Sequence, residues 1–352
     1  MSRVTKIFAL AATAALALTA CGGSSTTTPA ASGGSASAKP KIKVGLAYDI
    51  GGRGDKSFND SAAVGLDEAK AKLGIEIKEL SATGGETDKD KEQRLRLLAQ
   101  SGHNPVIAVG FLYQPAVATV AKEFPKVQFG LIDATVEGAT NVTGLVFAEE
   151  EGSFLVGAAA ALKSKTGTVA FIGGCDLDLI KKFQAGFEQG AKAARPDAKV
   201  ASAYLSTPAQ ACSGFNDPTK GEVVAKGQYD AGADVIFAAA GGSGTGVFKA
   251  AKEKKTFAIG VDSDQYKSAA ADLQPVIYTS MLKRVNVAVF KFIESMSKGT
   301  PLTGVTVFNL KEDGVGYSTE GGFIDSSIAT QLEKFKQDII AGTIKVDTKP
   351  KG

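Results

Sequence analysis

The sequence predicts a two-lobed α/β protein built on two parallel sheets, each covered by helices on both faces. Three observations carry this. The chain has 352 residues, 44% hydrophobic and 22% charged, enough for two domains of ordinary size with proper cores. From Ile42 onward, short β-branched runs alternate with longer amphipathic ones. The short runs are apolar throughout rather than alternating, as expected for strands buried on both faces.

Taken in order, the expected strands are Ile42–Asp49, Ile75–Leu80, Val106–Gly110, Val127–Asp133, Thr143–Phe147, Thr168–Gly173, Val200–Leu205, Val235–Ala240, Phe257–Asp262, Val276–Thr279 and Val305–Phe308. Helical spacing fills the gaps, for example Ser57–Leu73, Asp88–Ser101, Pro115–Glu123, Glu149–Leu162, Ile180–Ala194, Thr219–Ala231, Gly244–Lys254 and Val285–Lys298. Several strands end at or just before a small or acidic residue: Asp49, Gly110, Asp133, Gly173, Gly241 and Asp262. Open α/β sheets bind ligands beyond the carboxyl ends of their strands, so these residues are expected to converge on one crevice.

Residues 1–20 read as a targeting segment. Arg3 and Lys6 precede an apolar stretch from Ile7 to Leu18, too short to span a bilayer comfortably. Leu18-Thr19-Ala20-Cys21 resembles a bacterial lipoprotein cleavage box, which implies that Cys21 is diacylated and becomes the first mature residue. Residues 21–40 form a Gly/Ser/Thr/Ala-rich tether that cannot offset its ordering entropy by burial. The expected product is anchored at the extracytoplasmic face and does not span the membrane. Outside the cytoplasm thiols oxidise, and with Cys21 assigned to lipid, Cys175 and Cys212 are expected to form a disulfide.

Composition excludes much chemistry. Forty basic against thirty-seven acidic residues give +3, and Arg3 and Lys6 supply two of those charges. A nearly neutral body argues against nucleic-acid binding. One histidine and three cysteines cannot build a His-rich or Cys-rich metal site. His103 falls in a turn at the amino end of the sheet, the wrong end for a catalyst. Gly51-Gly52-Arg53-Gly54-Asp55-Lys56-Ser57 lacks the Gly-Lys-Ser/Thr ending of a phosphate loop, and Gly241-Gly242-Ser243-Gly244-Thr245-Gly246 has Val247 where a dinucleotide fingerprint needs glycine. Glu149-Glu150-Glu151 sits at a helix start and reads as capping. No enzyme constellation and no cofactor are expected.

What remains is Asp49, Phe58, Asn59, Asp133, Phe215, Gly241, Gly242, Asp262 and Lys283. Two loop aromatics with three strand-end carboxylates suit a flat, hydroxylated ligand: rings stack on a ring, and carboxylates accept hydrogen bonds from vicinal hydroxyls.

The order and spacing of Val44-Gly45-Leu46, Asp55-Lys56-Ser57-Phe58-Asn59, Phe183-Gln184-Ala185-Gly186-Phe187, Phe215-Asn216-Asp217-Pro218-Thr219-Lys220-Gly221, Ala240-Gly241-Gly242 and Gly260-Val261-Asp262 resemble the basic membrane protein family. These are purine-nucleoside-receptor-type substrate-binding lipoproteins of ABC importers. The resemblance covers about Lys41 to Lys345. It implies a type I periplasmic-binding-protein fold with a three-strand hinge, one lobe from 41–147 plus 281–308 and the other from 148–280 plus 309–345. It further implies that Phe58 and Phe215 sandwich a base, and that Asp133 and Asp49 lie at the base. Asp262 and Lys283 would bind ribose hydroxyls, and Gly241 or Gly242 would offer backbone groups. Tyr48 stands where family members can carry a polar amide. If bridged, Cys175 and Cys212 would pin the Phe215 loop. The expected partners are a nucleoside and an importer's permease and ATPase, with the receptor a monomer. A sugar-binding protein, a signalling receptor of the same fold and a nucleoside hydrolase remain the competing readings.

Overall fold

The computed structural model describes residues 42–351; the expected signal segment, the tether and Cys21 lie outside them. The chain begins β1 (Lys43–Ala47), α1 (Phe58–Leu73), β2 (Glu76–Leu80), α2 (Asp88–Gln100), β3 (Val106–Ala108), α3 (Gln114–Glu123), β4 (Phe129–Ile132) and β5 (Val142–Phe147). It then crosses into α4 (Glu149–Lys163), β6 (Thr168–Gly173), α5 (Asp178–Ala194), β7 (Lys199–Tyr204), α6 (Pro218–Asp230), β8 (Val235–Ala239), α7 (Gly244–Lys254), β9 (Phe257–Asp262), α8 (Gln265–Ser268) and β10 (Ile277–Lys283). The last elements are α9 (Val285–Ser297), β11 (Gly304–Phe308), β12 (Val315–Tyr317) and α10 (Ser326–Ile340).

The strands form two sheets of matching order, β11-β5-β4-β3-β1-β2 and β12-β10-β9-β8-β6-β7. Every pairing is parallel except β10 with β12. Strand order reverses between β1 and β3 in the first lobe and between β6 and β8 in the second, which opens a crevice beyond their carboxyl ends. Residues along each strand divide between the two faces, as the pleat requires. In β3, Ile107 joins Leu46, Leu66 and Phe292 on one side, while Val106 and Ala108 join Leu98 and Val120 on the other. In β6, Val169 and Phe171 face α4 and α5, while Ala170 and Ile172 pack with Val247 and Phe248 of α7.

Helix starts follow local chemistry. Thr87 and Asp90 form a reciprocal capping box at α2, and Asp325 caps α10 by accepting from the Ile328 N–H at 3.0 Å. Helices α4 and α5 touch backbone to backbone. A Cβ at Gly157 would lie 2.1 Å from the Phe187 carbonyl, one at Gly186 2.1 Å from the Glu150 carbonyl, and one at Gly190 1.9 Å from the Phe154 carbonyl.

The chain passes between lobes three times: from β5 to α4, from β10 to α9, and from β11 to β12. These crossings are tied together. The Ala148 N–H donates to the Phe308 carbonyl at 3.0 Å, the Leu310 N–H donates to Glu151 at 2.9 Å, and Phe147 stacks on Phe308 with centroids 5.2 Å apart. The expected strands are present, with two differences. β10 continues to Lys283, so Met281, Leu282 and Lys283 pair within the second sheet, beyond the boundary expected at residue 281. β12 is a short return strand between glycine-containing turns that the pattern does not reveal. Among the described residues no helix is long and apolar enough to cross a membrane.

Candidate functional site

The loop after β1 presents the first set of side chains. Asp55 accepts from the N–H groups of Ser57, Asn59 and Asp60 at 2.9, 2.9 and 3.1 Å, and Asp60 in return accepts from the N–H groups of Gly54 and Lys56 at 2.6 and 3.0 Å. The bonds from Asn59 and Asp60 satisfy two open donors of the first turn of α1, and the rest fix the loop that leads into Phe58. Arg53 ties the same loop to Glu79 and Asp67, and Glu79 also accepts the Tyr48 hydroxyl. Tyr48 is therefore buried behind the loop. Asn59 uses its amide internally, accepting from the Asp49 N–H and donating to the Ile50 carbonyl and Asp55. It is a positioning residue for Asp49.

Asp133 follows β4 and Asp262 ends β9, at corresponding places in the two lobes. Both adopt the left-handed region, with φ of 67° and 63°, a conformation that aspartate tolerates better than most residues. It turns each carboxylate off the strand end. Phe215 comes from the segment after β7. A Cβ on Gly174 would lie 2.3 Å from the Phe215 ring, so that glycine lets the ring lie flat against the end of β6. Cys175 and Cys212 are joined by a disulfide, Cα to Cα 5.1 Å, immediately beside this contact.

One cavity between the lobes is lined by Asp49, Phe58, Asn59, Asp133, Phe215, Gly241, Asp262 and Lys283. Gly242 is not among its walls; it lies behind, near Asn216. The walls also include Asp55, Phe111, Leu179, Ile180 and Phe183, none of which stood out individually in the sequence. Phe111 follows β3, and the other three apolar residues occupy the first turns of α5. Only Phe111 carried a positional signal, lying just beyond the carboxyl end of β3.

Lys283, 2% exposed, lies at the floor. Its Nζ is 2.6 Å from Asp133 Oδ2 and 3.5 Å from Glu149 Oε1, with the Phe58, Phe147 and Phe183 rings 4.9, 5.1 and 5.6 Å away. Burial pulls its pKa down, but the carboxylates of Asp133, Glu149 and Asp262 outweigh that and hold the ammonium charged. The acidic run at α4 is thus more than a cap. Glu149 is buried and bridges Lys283 to Lys182, 3.1 Å away, while Glu151 fixes a crossing segment.

Burial pushes Asp49 up to about 7, against the Ile50 N–H and the charge of Lys91. It pushes Asp262 up to about 6, against Lys283 and the Ser57 hydroxyl. Asp133 is likewise raised by burial, opposed by Lys283. Asp133 Oδ1 has no hydrogen-bond partner. Four carboxylates, from Asp49, Asp55, Asp133 and Asp262, thus face the cavity against one ammonium. Its polar surface is mainly accepting, and apolar rings flank it.

One rim of the cavity is closed by hydrogen bonds across the lobes. Ser57 Oγ donates to Asp262 Oδ2 at 2.7 Å, Ser263 Oγ donates to the Ser57 carbonyl at 2.7 Å, and Gln265 Nε2 donates to the Lys56 carbonyl at 3.1 Å.

Sequence comparison adds to this geometry: the family described as "ABC transporter substrate-binding protein PnrA-like" matches residues 41–349. The chain belongs to the Bmp family. A Bmp relative from Lactococcus lactis, named "ABC transporter nucleoside-binding protein BmpA", is 33% identical over 90% of this chain and 92% of its own. A Listeria monocytogenes protein named "CD4+ T-cell-stimulating antigen" is 34% identical over 98% of this chain and 99% of its own. Among solved structures, a solute-binding protein of an ABC transporter system from Aeropyrum pernix K1 superposes with a TM-score of 0.76 at 29% identity, covering 87% of this chain and 93% of that one. The chain is therefore an ABC-transporter substrate-binding protein of the Bmp family with the periplasmic-binding-protein fold.

Proposed function

We propose that this Bmp protein is a lipid-anchored extracytoplasmic receptor that closes on a purine nucleoside and delivers it to an importer's permease, without chemical turnover. The observation that carries the reading is the union, in one interlobe cavity, of two aromatics, Phe58 at the start of α1 and Phe215 after β7, with carboxylates from both lobes. A ligand fitting such walls is flat, rich in hydrogen-bond donors and not anionic. Stacking contributes about 1–3 kcal/mol per aromatic, and each hydrogen bond to a carboxylate about 1.5–3 kcal/mol before ordering costs. Phe58 and Phe215 serve as the stacking walls, and Asp49, Asp133 and Asp262 accept from hydroxyls and ring N–H groups. Lys283 holds Asp133 in place and keeps a proton directed at the ligand. The excess of carboxylates disfavours a phosphorylated ligand, since a phosphate would face four acids and one cation. The name of the Lactococcus relative supports a nucleoside, and the Leu18-Thr19-Ala20-Cys21 box supports the anchor.

The test is native mass spectrometry of the purified protein, followed by calorimetry with inosine, guanosine, adenosine, uridine, ribose and inosine monophosphate. Purine nucleosides are expected to bind, to be recovered unchanged, and to outcompete the monophosphate. Binding of ribose or another free sugar in preference to every nucleoside would reject the reading.

A further inference from the structure

The two ends of the cavity differ. At the Ser57 end, the lobes are stitched by hydrogen bonds from Ser57, Ser263, Gln265 and Ser268 to groups on the facing lobe. At the Phe111–Leu179 end, among the described residues, no hydrogen bond joins the wall residues of one lobe to those of the other; the cross-lobe bond beside them, from Lys182 Nζ to the Phe147 carbonyl at 3.3 Å, is made by two residues outside those walls. There the cavity runs on into a second, open space that shares Phe111, Asp133 and Leu179 as walls. Its further walls include Leu112 and Val146 from the first lobe and Leu177 and Pro208 from the second, with Gln114, Thr135 and Asp178 as polar members. The main cavity reads donors with carboxylates; this annex is mostly apolar.

We propose that the annex is a subsite for an apolar substituent on the bound nucleoside, so that the receptor takes hydrophobically modified nucleosides as well as the plain ones. The inference rests on the nucleoside reading of the main cavity. A substituent leaving the site at the stitched rim would have to break the contacts that hold the lobes closed. One leaving between Phe111 and Leu179 meets side chains that gain from being covered, because it removes apolar surface of both lobes from water. The occupant is thus an aryl or alkyl group attached to the molecule held by the main cavity. The disulfide borders the annex through Cys212, which keeps its second-lobe rim in place.

The experiment compares three probes by calorimetry: adenosine, adenosine with a benzyl group on its exocyclic amine, and adenosine with a benzoyl ester on its primary hydroxyl. One of the two substituted probes is expected to bind at least as tightly as adenosine. Leu112 is half-buried and belongs to none of the core clusters, so Leu112→Asp should leave adenosine binding unchanged. It should weaken the accepted substituted probe about tenfold, the scale of one or two lost apolar contacts; Leu177→Asn is the second variant. Rejection of both substituted probes by a protein that binds adenosine would overturn the subsite while sparing the nucleoside reading. Binding of none of the three, with no binding of inosine or guanosine either, would overturn both.

Discussion

Lys283, the last residue of β10 in the second sheet, lies 2.6 Å from Asp133, the residue that follows β4 in the first. The pair joins the two lobes at the floor of the cavity and shares Glu149 of the first crossing segment, 3.5 Å from the ammonium. All three side chains are buried. The site and one of the connections between the lobes therefore share a single charge cluster.

Removing the cation leaves Asp133 buried without its partner and Glu149 with Lys182 alone. Lys283→Met is expected to destabilise the protein by about 3–5 kcal/mol and to abolish binding. Adding Asp133→Asn should recover part of the stability and none of the binding. Denaturant titration reads the first effect and calorimetry the second. A Lys283→Met protein as stable as the parent would show that the cluster is not the keystone described.

The aromatic wall can be tested apart from the fold. Phe215 is only partly buried, and its ring rests on Gly174. Phe215→Ala and Phe58→Ala should each weaken nucleoside binding by about 1–3 kcal/mol. Asp262→Ala should weaken it further, because it removes both an acceptor and the anchor of the Ser57 hydroxyl. Unchanged affinity in Phe215→Ala and Asp262→Ala together would end the assignment.

The disulfide holds the segment that carries Phe215. Reduction, or Cys175→Ser with Cys212→Ser, is expected to lower stability by about 2–4 kcal/mol. It should also weaken binding, because the wall would then be ordered at the expense of ligand binding. Calorimetry on oxidised and reduced protein compares the two. Equal affinity would separate the bridge from the site.

Protonation gives a signed expectation. Asp49 and Asp262 are raised by burial to about 7 and about 6, while an unfolded aspartate titrates near about 4. The folded protein thus holds these protons more firmly than the unfolded chain. The stability from this source is full below about pH 4 and is lost as pH rises through about 7. The ligand-free parent should lose stability relative to Asp49→Asn over that range. Ligand donors favour the ionised carboxylates, so affinity should rise over the same interval. A flat affinity profile, with proton release absent in buffers of differing ionisation enthalpy, would contradict the assigned contacts.

The proposed lipid anchor is tested separately from the binding site. Cys21→Ser expressed in a bacterial host should move from the membrane fraction to the soluble extracytoplasmic one and lose the mass of its acyl groups, with nucleoside affinity unchanged. Retention in the membrane with an unaltered mass would remove Cys21 as the anchor.

Much of this was legible before any coordinates. Apolar strands bounded by small or acidic residues were visible as pattern, and strand ends in a parallel sheet face one crevice, so Asp49, Asp133, Asp262 and Gly241 could be placed from periodicity alone. Phe58 and Phe215 stood out because polar loops seldom hold unpartnered rings. Phe183, Ile180 and Leu179 did not, since on a helix they are indistinguishable from core until the facing lobe is known. Glu149 resembled an ordinary helix-start acid; only the approach of Lys182 and Lys283 from elements distant in sequence gives it another role. β12 escaped for a related reason, as three residues become a strand only through pairing with β10.

The glycine contacts between α4 and α5 reach further than packing. Phe187, Glu150 and Phe154 present carbonyls where any side chain at Gly157, Gly186 or Gly190 would have to stand, so an alanine at any of the three would wedge α5 outward. That helix carries Leu179, Ile180 and Phe183 into the ligand chamber. Anyone re-engineering the chamber for a bulkier guest has to trim those three side chains directly, because the helix bearing them is seated as close as two backbones can come.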